Sequence, residues 1–496
     1  MLPSPRLDAA SEVPLYRQLH AHFTELIRSG SLKKGERLPA TRELAGSLGL
    51  NRTTVSAAYE LLESEGLISG QVGRGSFVAG GQVEISAGLD WDELLAPLLA
   101  TPPAPPSGQT DIISFASSRP AAELFPVDAF RVSCEEVMAS AEFPAILQLG
   151  SPAGYEPLRQ YLLETARREG VARAGDDLIV TSGCQQALDL ARRVLLRPRD
   201  AAGARVGLED PIYPGVKNLF LETGAEISGI AVGPDGMDTA QLERVLARER
   251  LRLLVVSPNF QNPTGATLPL AARESILRQT RQAGTVLIEN DIYSELRYEG
   301  ESLPTIKQMD DSGDTILLRS FSKIAFPGLR VGWAIGPRPV IARMIEAKQL
   351  SDLHTDQLAQ AVLLRFVQSG RLETHQTHML QTGAERLKSV LAACERYLPR
   401  ETRYTRPQGG MNLWVRLPEP LDAADLLARA HEEGVSYLPG KFFAIHRQEP
   451  GALRLSFAGL VPEKIEQGLQ ILGRIFAGEL ERMRRQRAVE PAPVMV

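Results

Sequence analysis

The chain has 496 residues, which at roughly 100 to 200 residues per domain implies two to four domains and a large core, and excludes a peptide or a disulfide-stapled module. Its 55 Lys and Arg against 60 Asp and Glu give a net charge of −5, with 43% hydrophobic and 23% charged residues. That balance excludes a uniformly basic coat for nucleic acid but leaves room for a local basic patch. The three cysteines, Cys134, Cys184 and Cys394, are too far apart for a metal pair or a disulfide framework, which suits a reducing compartment, and no metal site is expected. No apolar leader and no run of eighteen apolar residues is present, so the expectation is a cytoplasmic protein with no membrane role.

The first segment, 11–79, reads as a domain of its own. Leu15, Leu19, Phe23, Leu26 and Ile27 recur at helical spacing up to the Ser29-Gly30 stop. A second, short helix spans Arg42 to Leu48 with Thr41 as its expected N-cap, and a third runs from about Asn51–Thr53 to Glu65, with Val55, Ala58, Tyr59, Leu61 and Leu62 on its apolar face. Leu67 to Val78, broken by Gln71-Val-Gly-Arg-Gly75, predicts a β-hairpin. Three helices followed by a hairpin is the order of a winged helix-turn-helix. Residues 80–111 lose periodicity and hold Thr101-Pro-Pro-Ala-Pro-Pro-Ser-Gly108, a linker composition, with Trp91, Leu94 and Leu95 suggesting a short helix.

From 112 to about 480, apolar strands alternate with helices: Leu178–Thr181, Arg205–Leu208, Leu253–Ser257, Val286–Glu289, Ile316–Leu318 and Val331–Ala334. The alternation predicts an α/β domain with a parallel sheet, whose chemistry gathers at the carboxyl ends of the strands. A smaller α+β subdomain is expected over about 350–480, with strands near Gly410–Leu417 and Leu453–Phe457, and a tail over 481–496. His375 and His378 are expected on a surface helix, and Glu289 is expected to be structural.

The loop Arg319-Ser-Phe-Ser-Lys323, with Arg330 seven residues further on, sets an amine among hydroxyls and a guanidinium. That set suits a phosphate-bearing aldehyde cofactor: the amine forms an imine while the hydroxyls and guanidinium hold phosphate. Thr181-Ser-Gly-Cys-Gln185, Ser257-Pro-Asn-Phe-Gln-Asn262-Pro-Thr-Gly265 and Glu289-Asn-Asp-Ile-Tyr293 each follow a predicted strand. Together these motifs resemble fold-type I pyridoxal-5′-phosphate (PLP) enzymes, in particular class I and II aminotransferases near aminoadipate and kynurenine transaminases, over about 112–476. The resemblance implies that Lys323 holds the cofactor and moves protons. It implies that Ser320, Ser322, Arg330 and the amides of Gly183, Cys184 and Gln185 bind phosphate, and that Tyr213 stacks on the pyridine ring. Asn262 and Tyr293 would bond its phenolic oxygen, with Tyr293 a catalytic partner of Lys323, and Arg454 would clamp a substrate carboxylate beside Asn262.

Three positions depart from that pattern. The acid facing the pyridine nitrogen falls three residues before the tyrosine, which here is Asn290, with Asp291 one place late. An amide stabilises a pyridinium less than a carboxylate does, and a local bulge would be needed for Asp291 to take over. Leu149 stands where a tyrosine is usual, and Cys184 where a hydroxyl is frequent.

In the first segment, Arg37-Leu-Pro-Ala-Thr-Arg42-Glu-Leu-Ala45 and Asn51-Arg-Thr-Thr-Val-Ser56 resemble GntR-type regulators. By that resemblance Arg42 starts the second helix against phosphate or base of double-stranded DNA, Asn51, Arg52, Thr53 and Thr54 set the N-terminus of the third helix in the major groove, and Arg74 enters the minor groove. Residues 28–52 hold 6 Lys and Arg against 2 acidic residues, a patch suited to phosphate. The whole chain resembles the MocR/GabR branch of GntR regulators. The expectation is a homodimeric, PLP-dependent transcription factor that senses an amino compound or PLP itself. An active aminotransferase carrying a winged helix is the alternative.

Overall fold

The computed structural model describes residues 13–71, 75–79, 112–196 and 203–489, together with a few isolated positions before residue 13 and at Leu95. Arg74, most of the linker 80–111 with Trp91 and Leu94, and the end of the tail lie outside the described residues. The chain divides into two units, Met1–Leu98 and Leu99–Val496.

In the first unit, α1 (Leu15–Arg28), α2 (Thr41–Leu48) and α3 (Arg52–Ser64) precede the antiparallel strands β1 (Ile68–Gln71) and β2 (Gly75–Val78). The apolar periodicity explains the packing. Leu19, Phe23 and Leu26 of α1 and Val55, Ala58, Tyr59 and Leu62 of α3 are buried in one core, with Phe23 edge-on to Tyr59 at 5.8 Å. Asn51 caps α3, its side chain accepting the Thr53 N–H at 3.2 Å. Thr41 is the first residue of α2 rather than its cap; Ala40 holds the cap position and gives no side-chain bond.

The second unit is built on an eight-stranded sheet in the order β4-β11-β10-β9-β8-β5-β6-β7. Its strands are β4 (Asp176–Thr181), β5 (Arg205–Asp210), β6 (Glu226–Gly233), β7 (Gly236–Met237), β8 (Leu251–Val256), β9 (Val286–Asn290), β10 (Ile316–Ser320) and β11 (Gly332–Pro337). β8 lies between β9 and β5 and is buried at every position except Arg252, as a strand covered on both faces must be. The sheet is mixed, not wholly parallel as expected. β11 runs antiparallel to both β10 and β4, and β7 antiparallel to β6. The strands that carry the motifs all remain parallel to one another, so their carboxyl ends share one edge.

A four-stranded sheet, with β13 (Asn412–Arg416) and β16 (Ala452–Ser456) antiparallel at its centre, forms the smaller subdomain. The long helices Arg371–Tyr397 and Pro462–Val489 share its core. The short strand β3 (Ile113–Ser114) also joins this subdomain, pairing with β14 (Val435–Ser436). No helix among the described residues is long and apolar enough to cross a membrane.

Three buried ionisable side chains lie inside this frame. Glu289 accepts the N–H groups of Ile306 and Lys307, each at 2.8 Å, and so caps a short helix, the structural role expected of it. Lys307 is fully buried and pairs with Asp176 at 2.9 Å. Glu209, near the end of β5, is also fully buried, and burial pushes its carboxyl up to about 8.

A carboxyl whose folded-state pKa is raised contributes stability that is complete below its ordinary value and is lost as pH rises toward the folded value. Glu209→Gln is therefore expected to match the wild type at about pH 4 and below. It should gain on the wild type up to about pH 8, by on the order of 4 kcal/mol at most, in chemical unfolding followed against pH. Parallel stability curves for the two proteins would show that Glu209 is ionised in the fold.

Candidate functional site

Five strand ends meet at the carboxyl edge of the large sheet. β10 finishes at Ser320, whose hydroxyl accepts the Ser322 N–H at 3.1 Å and turns the chain into a single 3-10 turn, Phe321–Lys323. This tight turn sets Lys323 immediately beyond the strand. Its Nζ donates to the Ser118 carbonyl at 2.7 Å and stands 5.7 Å from the centre of the Tyr293 ring.

The hydroxyl and guanidinium groups named from the sequence converge beside it. Ser320 Oγ bonds Ser322 Oγ at 2.8 Å, and Arg330 reaches Ser322 Oγ at 3.5 Å and the Ser182 carbonyl at 3.2 Å. Arg330 itself has a left-handed backbone, φ 54°, which turns the chain back into β11. Facing it is the loop after β4, where Gly183 (φ 87°) precedes the helix Cys184–Leu195. A Cβ on Gly183 would meet the Arg330 guanidinium, and the φ of 87° is one that residues with a side chain rarely adopt, so glycine suits the position. The helix thus presents its first N–H groups next to an arginine and two serine hydroxyls, a cradle with the chemistry of a phosphate site. Burial pushes the Cys184 thiol up to about 12, so at neutral pH it adds no thiolate to the cradle.

The opposite side of the site holds a phenol and a guanidinium. Tyr293 is 3% exposed, and its hydroxyl lies 3.4 Å from Ser118 Oγ. Burial pushes this phenol up, but Lys323, Ser118, Arg454 and Asn262 together outweigh it and hold the group below its ordinary value. Arg454, on β16, is buried; its Nη1 donates to Asn262 Oδ1 at 3.1 Å, a second nitrogen donates to the Ala116 carbonyl, and its Nε has no partner. Burial pulls its pKa down to about 10, which still leaves a cation. Arg454 has no carboxylate partner among the described residues, so it is a cation prepared for an anion from outside. Tyr213 is 45% exposed beyond β5, and Gln185 is tethered nearby to the Gly215 carbonyl at 2.8 Å.

Asn290 and Asp291 part company at the end of β9. Asn290 Oδ1 is buried without a partner. Asp291 has both oxygens engaged: Oδ1 accepts from Asn259 at 2.8 Å, and Oδ2 from Ser294 at 2.8 Å and from Arg319 at 3.2 Å. The pairings of β9 show no bulge that would bring Asp291 round to the place of Asn290, and Asp291 is held by these three protein partners. Asn259 passes this network on to the fully buried Arg273, at 2.7 Å. His375 also differs from expectation. It is buried on the helix Arg371–Tyr397 and stacked on Phe326 at 6.3 Å, with burial pulling its pKa down to about 4. Ser118, Asn259 and Arg319 were not singled out from the sequence as parts of the site, since their roles come from contacts between residues far apart in the chain.

In the first unit, Arg42 is exposed at the start of α2, and Asn51, Arg52 and Thr53 are exposed where α3 begins, with Thr54 half-buried behind them. The segment 37–39 is fixed against α3, Tyr59 donating to the Pro39 carbonyl at 3.0 Å.

Residues 110–472 match the model of aminotransferases of class I and II, and residues 15–78 that of bacterial regulatory proteins of the gntR family. The chain belongs to the class I and II aminotransferase family. It is 37% identical to a 2-aminoadipate transaminase of Thermus thermophilus over 372 residues, 74% of this chain and 91% of that one. A solved structure of the α-aminoadipate aminotransferase LysN from the same species, complexed with N-(5′-phosphopyridoxyl)-L-leucine, superposes with a TM-score of 0.70 at 36% identity, covering 75% of this chain and 94% of that one. Similarity extends through the first unit as well. The probable rhizopine catabolism regulatory protein MocR of Rhizobium meliloti is 29% identical over 479 residues, 95% of each chain. The pairing of a GntR domain with an aminotransferase domain is that of MocR-type transcriptional regulators, and PLP is the cofactor that the domain's family uses.

Replacing Arg42 and Arg52 by alanine is expected to weaken operator binding and to lower the slope of log affinity against log salt by about one for each phosphate no longer neutralised. An unchanged salt slope in fluorescence-anisotropy titrations would remove both residues from the DNA interface.

Proposed function

We propose that the chain is a homodimeric regulator that binds operator DNA through its winged helix. Its second unit holds PLP at Lys323 and answers an amino compound bearing a carboxylate. One observation carries this reading: Arg454, a buried cation with an unpartnered Nε, is linked through Asn262 to the same site that holds Lys323 and Tyr293. An amine and an acid on one small molecule match those two ends.

PLP supplies an aldehyde that condenses with amines and a ring that withdraws electrons from them. The chain's own residues would divide the work around it. Ser320, Ser322, Arg330 and the amides of Gly183, Cys184 and Gln185 bind the phosphate, Tyr213 covers the ring, and Asn262 and Tyr293 orient its phenolic oxygen. Lys323 holds the cofactor and moves protons, with Tyr293 set beside its amine. Asn290, an amide with a buried free oxygen, would face the ring nitrogen where a carboxylate would keep it protonated. That substitution favours binding over turnover, which suits a sensor.

Exposed leucines support the homodimer. Leu147 and Leu149 are 64% and 78% exposed. Gln357, the first residue of the distant helix Gln357–Gln368, ties that loop to it by donating to the Gln148 carbonyl at 2.7 Å, and Leu350 and Leu353 just before that helix are 91% and 55% exposed. An apolar edge of this kind is covered in a two-fold assembly, and two winged helices then read paired half-sites. DNA as the partner puts the working protein in the cytoplasm.

The deciding experiment replaces Lys323 by alanine in the full chain. The variant is expected to lose PLP on dialysis and to lose any effect of amino compounds on operator affinity, measured by anisotropy. Retention of both would sink the sensor reading. Asn290→Asp is expected to convert the bound cofactor to its amine form at least about tenfold faster with a suitable amino acid, as followed by absorption in a single turnover. An unchanged rate would mean that Asn290 does not limit the chemistry.

A further inference from the structure

Two oppositely charged side chains, Asp210 at the end of β5 and Lys217 on the helix that follows, grip a loop of the smaller subdomain, and neither is among the residues assigned to the cofactor. Asp210 accepts the backbone N–H groups of Ile445 at 2.9 Å, His446 at 3.1 Å and Arg447 at 3.2 Å. Lys217, on the helix Pro214–Leu221, donates to the carbonyls of Phe442 at 2.7 Å and Ala444 at 2.9 Å. Between them the Ile212 N–H donates to the Phe443 carbonyl at 2.9 Å. The residues 443–447 form no helix or strand; the N–H groups of Phe443 and Ala444 bond to the Gly440 carbonyl, while those of 445–447 and the carbonyls of 442–444 are met by these partners. Bonds to ionised groups are the strong ones available for the purpose.

At the centre of the gripped loop is Phe443. It is fully buried and edge-on to Trp414 at 5.6 Å, and the Arg454 guanidinium lies 5.2 Å from the centre of its ring. A guanidinium over an aromatic face is attracted to it and held in one plane. That plane decides whether Arg454 meets a carboxylate edge-on with two parallel bonds or with one.

We propose that Lys217, together with Asp210, is a positioning residue for carboxylate recognition: it fixes Phe443 and, through that ring, the plane of Arg454. The inference rests on the reading of Arg454 as the carboxylate anchor. Tyr213 stands between Asp210 and Lys217 in the same short stretch of chain, so one segment sets both the surface offered to the cofactor and the anchor for the ligand's acid. A ligand lacking a carboxylate gains nothing from the grip.

The test uses full-length protein as wild type, Lys217→Met and Lys217→Arg. Hydrogen exchange is measured over 440–447, and the PLP-loaded proteins are titrated by absorption with L-leucine and with 3-methylbutylamine, the same molecule without its carboxylate. Lys217→Met is expected to speed exchange in that loop about tenfold. It should weaken L-leucine about tenfold while leaving the amine within about twofold. Lys217→Arg should restore both. Unchanged exchange, or equal weakening of the two ligands, overturns the proposal. A wild type that answers the amine but not L-leucine contradicts the carboxylate reading of Arg454 instead, and the exchange measurement then decides on the grip alone.

Discussion

The cofactor site depends on how β11 enters the large sheet. The strand returns from Arg330 and inserts, antiparallel, between β4 and β10, so that Gly332 lies opposite Thr181 on one side and Ser320 on the other. The same insertion brings the Gly183 loop and the Ser320–Lys323 turn to either side of one arginine. The space is filled to the limit: a Cβ on Gly332 would approach the Gly183 backbone to 2.9 Å and the Arg319 carbonyl to 3.0 Å. A parallel strand in that slot would bring a different end of the chain to the edge, and the phosphate cradle would lose Arg330.

Around that fixed cradle, the groups that would read a ligand belong to different parts of the second unit. Lys323 and Tyr293 stand on the large sheet, Arg454 on the small one, and Ala116 and Ser118 on the segment that follows β3. Their carbonyls and hydroxyls form one continuous hydrogen-bonded surface from the amine to the guanidinium. A ligand that engages both ends must therefore be matched to the spacing between two sheets. Ligand affinity can shift an equilibrium between arrangements only by the difference in how it binds them. A site assembled from two sheets offers such a difference, whereas a site on one rigid element would not.

Much of this was legible in the sequence, because the decisive signals are local. The apolar spacing of Leu19, Phe23 and Leu26 places α1, and the pairing of β1 with β2 is the hairpin expected from Gln71-Val-Gly-Arg-Gly75. The six strands named from the sequence all form, and Lys323, Ser320, Ser322 and Arg330 do converge. What the sequence did not disclose is long-range. The direction of β11 depends on which neighbours it pairs with, and an apolar run of six residues carries no sign of that. Asp291 reads as a spare acid until Arg319, Asn259 and Ser294 are seen to occupy it. His375 looks like a surface residue because its neighbours His378 and Gln376 are polar, yet its own position on the helix turns inward against Phe326. Ser118 has no motif at all, and its contacts to Lys323 and Tyr293 span about two hundred residues of chain.

If the second unit is a sensor, ligand capture at Lys323 and DNA binding are one equilibrium. The most direct measurement follows both in a single sample, titrating PLP-loaded protein on labelled operator with a panel of amino acids while recording cofactor absorption and DNA anisotropy. Coupling predicts one compound for which the cofactor band shifts and persists, with operator affinity changing over the same concentration range. A band that decays to the amine form and returns with a keto acid while operator affinity stays constant would contradict it, and would make the domain a working aminotransferase.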